Sequence, residues 1–169
     1  MPVHKATLGD APSLVQLINR SYRGKSSEKG WTTEAAIIGG EYRILLDEME
    51  QLMAKPEVCF LQSVNDKGIT EGCVFLENRG DQLYLGMLSV DPDLQARGTG
   101  KELMRAAEEF ARQQGCHSII MRVIHLRNEL IEWYQRRGYH DTGQTESYTP
   151  KSYEEVRIPF HFVILQKNL

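Results

Sequence analysis

Cysteine is scarce in this chain of 169 residues. The three cysteines, Cys59, Cys73 and Cys116, form no CxxC pair and lie at no cysteine–histidine spacing that suits zinc. Each stands in an apolar or strand-like context, so we expect reduced thiols in the protein core and no metal site. The same absence disfavours a covalent acyl-cysteine intermediate, because no cysteine has a matched histidine partner.

An excess of positive charge and long apolar runs are also missing. Lysine and arginine number 20 against 23 aspartates and glutamates, so a basic surface for nucleic acid is not expected. No apolar run approaches the roughly 18 residues of a membrane helix, and the N-terminus has no apolar segment of the signal-peptide type. We therefore expect a soluble, cytoplasmic protein without nucleic-acid or membrane partners. Because internal repeats and low-complexity linkers are absent, residues 1–169 are predicted to form a single domain.

Helical periodicity, broken by loops, dominates the first third of the chain. Asp10 can cap a helix that carries apolar residues at positions 11, 14, 15 and 18, on one face. Residues 21–33 break the pattern and are predicted as a loop. A second helical region is predicted to follow, with an interruption at Gly39-Gly40 and a second part that ends near Met53.

From Pro56 onward the pattern is that of a sheet. Three β-rich runs separated by the turn clusters NDKG and NRGD predict an antiparallel meander. A strand–helix–strand passage follows, which implies a mixed sheet of the α/β (α+β) class with helices on its faces. The predicted strands include residues 2–8, 58–64, 69–77, 82–90, 117–124 and 159–167, and the later helices are residues 101–114 and 129–137.

The stretch DPDLQARGTGKELMRAAEEF joins a predicted strand directly to a strongly amphipathic helix. The first N–H groups of a helix lack internal partners and carry a partial positive charge. Gly98 and Gly100 keep β-carbons away from these donors, while Arg97 and Lys101 add full charges beside them. Such a loop is suited to phosphate. The alternative is a plain strand-to-helix turn, in which the glycines serve only backbone geometry.

The spacing of the glycines narrows the choice of ligand. A GxGxxG dinucleotide motif does not fit, because the glycine after Gly100 is missing, and a GxxxxGK[ST] loop does not fit, because Lys101 is followed by Glu102. The pattern V-x-P…Q-x-R-G-x-G-K-x-L instead resembles the acetyl-CoA motif of the GNAT superfamily of N-acetyltransferases. Downstream, NELIEWYQRRGY (residues 128–139) is similar to the second signature of that family. The two motifs stand in the order and at the spacing of the family.

This resemblance implies a GNAT-like sheet of about seven strands and an N-acetyltransferase that uses acetyl-CoA as co-substrate, without a metal. It places the coenzyme diphosphate on main-chain amides of the glycine loop and the pantetheine arm along the end of the preceding strand. An N–H near Leu88 would polarise the acetyl carbonyl, where this strand splays from the next one. The cofactor-binding residues that it implies are Leu88, Ser89, Val90, Gln95, Ala96, Arg97, Gly98, Thr99, Gly100, Lys101, Asn128 and Tyr134.

Tyr134 and Leu88 are the two residues predicted to be catalytic. Leu130, Ile131 and Tyr134 share a helical face, so Tyr134 points inward, and this pattern alone favours a core tyrosine bonded to a backbone carbonyl. The resemblance favours a phenol that protonates the departing coenzyme A thiolate, which suits pKa values of about 10 and about 8.5. Asn128 is predicted to be the N-cap of this helix, and the resemblance adds a contact with the coenzyme.

The acceptor side carries no diagnostic motif. Three carboxylates, Glu34, Glu71 and Glu77, are candidates for the base, but spacing singles out none of them. A small-molecule or peptide amine is expected between residues 21–43 and 145–157. Aromatic walls could come from Tyr22, Trp31, Tyr148 and Tyr153, and negative charge from Glu34, Glu146, Glu154 and Glu155. Arg122 and His125, near a strand end, are interpreted as solvated.

Three functions are compatible with these patterns. The leading hypothesis is acetyl transfer from acetyl-CoA to a primary amine by direct attack in a ternary complex. A non-catalytic acyl-CoA-binding sensor or regulatory module is the alternative, against which Tyr134 argues, because a sensor needs no proton donor at the sulfur. A nucleotide-binding protein with the same glycine loop is a third. Exposed edges of a mixed sheet are compatible with a homodimer, which the sequence does not establish.

Overall fold

The computed structural model describes residues 3–94 and 97–169 and is built around one large β-sheet. The strands are β1 (Val3–Lys5), β2 (Ile38–Gly39), β3 (Val58–Val64), β4 (Thr70–Asn78), β5 (Gln82–Val90), β6 (Ser118–Ile124), β7 (His140–Glu146), β8 (Glu155–Val156) and β9 (Phe162–Asn168). The helices are α1 (Ala11–Tyr22), α2 (Gly24–Ser27), α3 (Leu46–Met53), α4 (Thr99–Gln113) and α5 (Asn128–Gln135). Single turns of 3-10 helix precede α1 and α4, at Leu8–Asp10 and Pro92–Leu94.

The large sheet has seven strands in the order β1-β3-β4-β5-β6-β9-β7. Every neighbouring pair is antiparallel except β5 and β6, which run parallel because α4 carries the chain from one to the other. The prediction of a mixed, mostly antiparallel sheet of about seven strands is confirmed. Two short strands, β2 and β8, form a separate antiparallel pair.

Helices cover both faces of the sheet, because alternate residues of a strand point to opposite sides. On β4, Cys73 and Phe75 pack in the cluster formed with α1 and α3, whereas Val74 and Leu76 pack in the cluster formed with α4. The buried residues that α1 and α3 contribute are Ala11, Leu14, Leu17, Ile18, Tyr22 and Met49. Those that α4 contributes are Leu103, Met104, Ala107 and Ala111.

The start of α4 lies directly on the sheet, and a glycine of β4 makes this approach possible. A β-carbon added at Gly72 would lie 2.8 Å from Cγ2 of Thr99 and 2.9 Å from Cδ1 of Leu103. Only glycine therefore lets the first turn of α4 pack this closely. The glycine loop that precedes α4 is held by this packing next to the carboxyl end of β5.

The segment between α2 and α3 differs from the prediction. A helical region was expected from residue 34 onward, but residues 34–45 contain only the strand β2, which pairs through Ile38 with Val156. The adjacent apolar pair Ile37 and Ile38 packs with Ile124 and Phe162 in a third small cluster, so its burial serves a strand contact. The predicted loop 21–33 in turn contains the end of α1 and all of α2.

The three cysteines are free thiols, and all three are buried. Burial raises the pKa of Cys73 to about 12, so this thiol stays protonated. In residues 3–94 and 97–169, no group of histidine, cysteine or carboxylate side chains is arranged to hold a metal ion. Within the same ranges, the helices are too short or too polar to cross a membrane.

Candidate active site

A cavity opens where the two parallel strands of the sheet separate. Pairing between β5 and β6 covers only Gln82 with Ser118, Leu83 with Ile119 and Tyr84 with Ile120. Both strands continue for several residues past this point, and the gap between them holds a cavity of about 230 Å³. The predicted splay of these strands is therefore present. Leu88 and Tyr134, the two residues predicted to be catalytic, both line this cavity.

The cavity side of β5 carries a β-bulge. The register between β4 and β5 shifts between Cys73 and Phe75, and opposite this shift Met87 adopts a φ of 50°. A positive φ is uncommon for a residue other than glycine and marks a main chain held by its surroundings. The bulge takes the Leu88 carbonyl out of the regular ladder, and its oxygen accepts a hydrogen bond of 2.5 Å from the Tyr22 hydroxyl.

Tyr134 is buried on α5, with 5% of its surface exposed, and its ring contacts those of Trp133 and Tyr139. Burial raises the pKa of Tyr134 well above its ordinary value, because the phenolate would lose its hydration. The phenol is therefore protonated at neutral pH. The inward orientation predicted from the helical face is confirmed by this burial.

The glycine loop leads into α4 as a helix N-terminus without a capping side chain of its own. Gly98 is the N-cap residue with a φ of 80°, and apart from its chain neighbours no atom of the described residues lies within 4 Å of the position its β-carbon would take. Arg97 and Lys101 are exposed beside it, whereas Thr99 and Gly100 are buried. Gln95 and Ala96, also predicted to bind the coenzyme, lie outside the described residues. Ser89 and Val90, the remaining predicted strand residues, are buried at the end of β5.

Two tryptophans lie against the first turn of α4. The rings of Trp31 and Trp133 are 4.6 Å apart, and a β-carbon at Gly100 would lie 3.3 Å from the first and 3.5 Å from the second. Because Trp133 also contacts the ring of Tyr134, one indole connects the glycine loop with the phenol. The two parts of the predicted site are thus neighbours in space, although more than thirty residues separate Gly100 from Tyr134.

Asn128 does not have the role predicted for it in the helix. It is the first residue of α5, and the N-cap position belongs to Arg127, with φ −92° and ψ 67°. The prediction of Asn128 as N-cap is therefore wrong. Its side chain is exposed at the start of α5, and its contact with a coenzyme stays a prediction.

One wall of the cavity contains a buried network of charges. Arg23 is only 2% exposed and donates two hydrogen bonds of 2.7 Å, one to Glu34 and one to Glu154. Glu154 also accepts hydrogen bonds from the Tyr148 hydroxyl and from the main-chain N–H of Lys151. Burial opposes ionisation of Glu154, but these hydrogen bonds outweigh it and hold the pKa of this carboxyl below its usual value.

The three carboxylates predicted as candidate bases are all engaged elsewhere. Glu34 lines the cavity, but it is paired with Arg23 and lies 3.6 Å from Arg127. Glu71 is buried outside the cavity and accepts a hydrogen bond of 3.0 Å from Asn65. Glu77 is paired with Arg79 at 2.6 Å. Neither Glu71 nor Glu77 lines the cavity.

Aromatic and acidic walls were predicted for the acceptor region, and only part of this expectation holds. Tyr22 and Tyr148 line the cavity, whereas Trp31 lies beside the glycine loop and Tyr153 binds Glu48. Sequence reasoning missed the cationic residues. Those that line the cavity are Arg23, Arg43, Arg122, Arg127 and Lys151.

Arg122 is exposed, in agreement with its interpretation as a solvated strand-end charge, and it also lies over the Phe162 ring at 4.5 Å at the edge of the cavity. No local motif could have identified this group of cations, because its members are scattered along the chain. Only the tertiary structure brings them to one place.

Comparison with known proteins agrees with this architecture. Residues 13–139 match the model of the acetyltransferase (GNAT) family. Human N-acetyltransferase 8B is 33% identical over 67 residues, which are 40% of this chain but only 30% of that protein. The uncharacterized protein YdhI of Bacillus subtilis (strain 168) is 28% identical over 130 residues, 76% of this chain and 71% of the relative.

Solved structures share the fold at low identity. The ribosomal-protein-alanine N-acetyltransferase of Brucella melitensis has a TM-score of 0.73 at 16% identity, with all of both chains covered. PaiA N-acetyltransferase from Thermoplasma acidophilum, solved in complex with coenzyme A, has a TM-score of 0.70 at 14% identity, with 99% of this chain and 98% of that chain covered. Because the family model matches more than half of the chain, the chain belongs to the acetyltransferase (GNAT) family.

Proposed function

We propose that this protein transfers the acetyl group of acetyl-CoA to a primary amine, by direct attack of the amine in a ternary complex. One observation carries the proposal: a single cavity, opened by the separation of β5 and β6, brings together the main chain at Leu88 and the phenol of Tyr134. Family membership supports acetyl transfer as the chemistry.

The coenzyme phosphates would bind at the N-terminus of α4. The partial positive charge of this helix end lies beside the exposed Gly98, and Arg97 and Lys101 add full positive charges. A surface groove next to this turn is also rich in cations, which suits a polyanionic cofactor. The residues that line the groove are Lys101, Met104, Arg105, Glu108, Arg136, Arg137 and Lys167.

At the reacting end, the pantetheine arm would lie along β5 beyond Tyr84, where the pairing of this strand with β6 ends. A main-chain N–H beside Leu88 would stabilise the negative charge that develops on the acetyl oxygen when the amine attacks. Collapse of the tetrahedral intermediate then breaks the carbon–sulfur bond. Tyr134, which is protonated at neutral pH, donates its proton to the departing thiolate and is reprotonated as the nitrogen of the new amide loses its extra proton.

The attacking amine must first lose a proton, because an alkyl ammonium with a pKa of about 10.4 is neutral to only about one part in 10³ at pH 7. Glu34, the carboxylate among the lining residues that the structure describes, is held by Arg23 and Arg127. We therefore assign no protein base, and we expect the rate to rise with pH in proportion to the neutral fraction of the amine.

Thiol release from acetyl-CoA in the presence of a panel of amines and short peptides tests the reaction. We expect release with some acceptor and formation of the N-acetyl product by mass spectrometry. Tyr134→Phe should lower kcat by roughly a hundredfold with coenzyme binding nearly unchanged. Tyr139→Phe is the matched control, because this tyrosine is also buried but does not line the cavity. Equal activity of Tyr134→Phe and wild type would make Tyr134 a packing residue.

Coenzyme binding is tested separately by thermal denaturation and by tryptophan fluorescence, since both tryptophans lie at the start of α4. Coenzyme A should raise the Tm, and Gly98→Glu should abolish this increase by charge repulsion. Gly115→Glu is the control, because Gly115 also has a positive φ (77°) and open space around it but lies at the other end of α4. Retention of the shift in Gly98→Glu would refute the phosphate site. Coenzyme binding without acetylation of any amine would favour the sensor.

A further inference from the structure

The cavity has an unusual charge for a chain that is negative overall. Its lining contains the five cations named above but, within the described residues, a single carboxylate, Glu34. The chain as a whole has a net charge of −3. Positive side chains are therefore concentrated at this site, where a cofactor would bring its neutral pantetheine end and not its phosphates.

Four of the five cations are already paired with carboxylates. Arg23 binds both Glu34 and Glu154, and Arg127 lies 3.6 Å from Glu34. Lys151 donates to Glu48 at 2.9 Å, and Arg122 lies 3.6 Å from Glu146. Four carboxylates take part in these pairs: Glu34, Glu48, Glu146 and Glu154. The charge of the fifth cation, an arginine, is left uncompensated.

That arginine is Arg43, which has no carboxylate within 4 Å among residues 3–94 and 97–169. Its guanidinium lies over the ring of Tyr22, with Cζ 4.9 Å from the ring centroid. Such stacking orients the planar group but does not neutralise it, so its N–H donors stay available to an anion. The ring beneath it belongs to the tyrosine whose hydroxyl binds the Leu88 carbonyl, so one aromatic side chain separates this charge from the bulge.

The backbone around Arg43 is held rigidly in place. Its N–H donates a hydrogen bond of 2.7 Å to Asn19, and its carbonyl accepts one of 3.0 Å from the Lys151 ammonium. The Tyr153 hydroxyl donates a further, longer one of 3.4 Å to the same carbonyl. Side chains from α1 and from the segment before β8 thus fix the position from which the Arg43 side chain reaches into the cavity.

Arg43 stacks on Tyr22, which lies on the face of the sheet opposite to the proposed phosphate site. Tyr22 packs in the α1 cluster, whereas α4, whose N-terminus would bind the phosphates, belongs to the cluster on the opposite face. An anion at Arg43 would therefore belong to the second substrate and not to coenzyme A.

From this geometry we infer that the amine acceptor carries a carboxylate close to its amino group, as a free amino acid does, and that Arg43 binds this carboxylate. The inference rests on the proposed function and specifies its substrate class. A guanidinium matches a carboxylate through two parallel N–H···O hydrogen bonds, and this pairing would hold the amino group toward the bulge. Polyamines are disfavoured, because Glu34 is already engaged and cannot receive a second ammonium group.

The test compares matched sets of acceptors with the full-length protein. Each set contains an amino acid, its carboxamide and the decarboxylated amine, for example phenylalanine, phenylalaninamide and phenethylamine, with spermidine as a polyamine. Rates are expressed per concentration of neutral amine, because the three amino groups differ in pKa. We expect the wild type to acetylate the amino acid with a kcat/KM at least tenfold above that of the carboxamide, the amine and spermidine.

Arg43→Gln should raise the KM for the amino acid roughly tenfold to a hundredfold, as expected for loss of a hydrogen-bonded charge pair. Its kcat/KM should fall much less for phenethylamine, which has no carboxylate, than for phenylalanine, and Arg43→Lys should retain part of the preference, because it keeps the charge. Arg79→Gln is the matched control, since Arg79 also stacks on a tyrosine ring, 4.2 Å from that of Tyr84, but lies outside the cavity lining.

Two outcomes separate this inference from the proposed function. If the wild type acetylates amines but prefers the uncharged forms, or if Arg43→Gln leaves the KM for amino acids unchanged, the carboxylate assignment is overturned and the acetyltransferase stands. If the wild type acetylates no amine at all, both are overturned. An intact increase of Tm with coenzyme A in Arg43→Gln would show that any loss is confined to the acceptor side.

Discussion

The hydroxyl of Tyr22 donates a hydrogen bond of 2.5 Å to the carbonyl oxygen of Leu88. This contact connects α1 with the bulge in β5 across the wall of the cavity, so the two elements are held together. The hydrogen bond requires a protonated phenol, and burial raises the pKa of Tyr22 to about 12. The geometry of the bulge is therefore linked to a group that titrates only at alkaline pH.

Replacement of Tyr22 by phenylalanine tests this linkage through the pH dependence of stability. At neutral pH, Tyr22→Phe should cost about 1 to 2 kcal/mol, because a buried carbonyl loses its donor. In the wild type the unfolded tyrosine ionises near pH 10 and the folded one near pH 12, so the unfolded state loses its proton first and stability falls as pH rises. Tyr22→Phe has no hydroxyl to ionise at this position, so its stability lacks this pH dependence. The difference between the two proteins should shrink by about 1 kcal/mol from pH 9 to pH 11.

Urea denaturation at several pH values measures this difference. Tyr42→Phe serves as control, because Tyr42 is 47% exposed and its removal should leave the curve unchanged. A difference between wild type and Tyr22→Phe that stays constant up to pH 11 would contradict the assignment.

A second prediction follows from the positive φ of Met87. Leucine tolerates this conformation about as well as methionine does, whereas a β-branched residue of similar volume is strongly disfavoured there. Met87→Ile should therefore lose about 1 to 2 kcal/mol of stability and lower kcat, because the main chain at Leu88 shifts with the bulge. Met87→Leu should resemble the wild type in both respects. Equal stability and kcat for the two variants would show that the bulge is not constrained at this residue.

The buried pair of Arg23 and Glu154 makes a third prediction. Glu154→Gln removes one of two negative partners of an arginine that is 2% exposed, and we expect a loss of about 3 kcal/mol, since breaking a buried ion pair leaves an uncompensated charge. The exposed pair of Arg122 and Glu146 offers the control, and Glu146→Gln should change stability by less than about 1 kcal/mol.

Glu154→Gln should also change the pH dependence of stability. Because the folded pKa of Glu154 is lowered, its contribution is present above the unfolded value of 4.5 and is lost as pH falls through the folded pKa. Wild type and Glu154→Gln should therefore converge in thermal denaturation below pH 4.5. Parallel curves down to pH 3 would argue against a native carboxylate that is stabilised by Arg23.

Local sequence patterns were sufficient to predict those helices and strands whose conformation is decided by residues close together in the chain. The strands Val58–Val64 and Gln82–Val90 have the predicted bounds, and the amphipathic helix after the glycines begins two residues earlier than expected. Turn clusters and alternating apolar residues act over a few positions, so they can be recognised without a structure. The strand preceding the glycine loop and the helix following it were predictable for the same reason.

Prediction failed where distant segments decide the outcome. The helix expected after residue 34 is replaced by β2, because pairing with Val156 and packing against Phe162 outweigh the local helical pattern. Asparagine is a residue type favoured at N-caps, which led to the prediction for Asn128. In the structure α5 begins at Asn128 itself, so the N-cap is Arg127. For β2, contacts made far along the chain select the conformation.

The sequence alone determined the individual strands of the meander, the strand–glycine–helix passage after β5 and the inward face of Tyr134, since each of these follows from residues close to one another in the chain. The tertiary structure decided the charge of the cavity. Coulomb interactions depend on distance in space, and the partners Arg23, Glu34, Arg127 and Glu154 come from four separate parts of the chain. Once these pairs have formed, Arg43 remains, within residues 3–94 and 97–169, as the lining cation that stacks on a tyrosine and has no carboxylate partner.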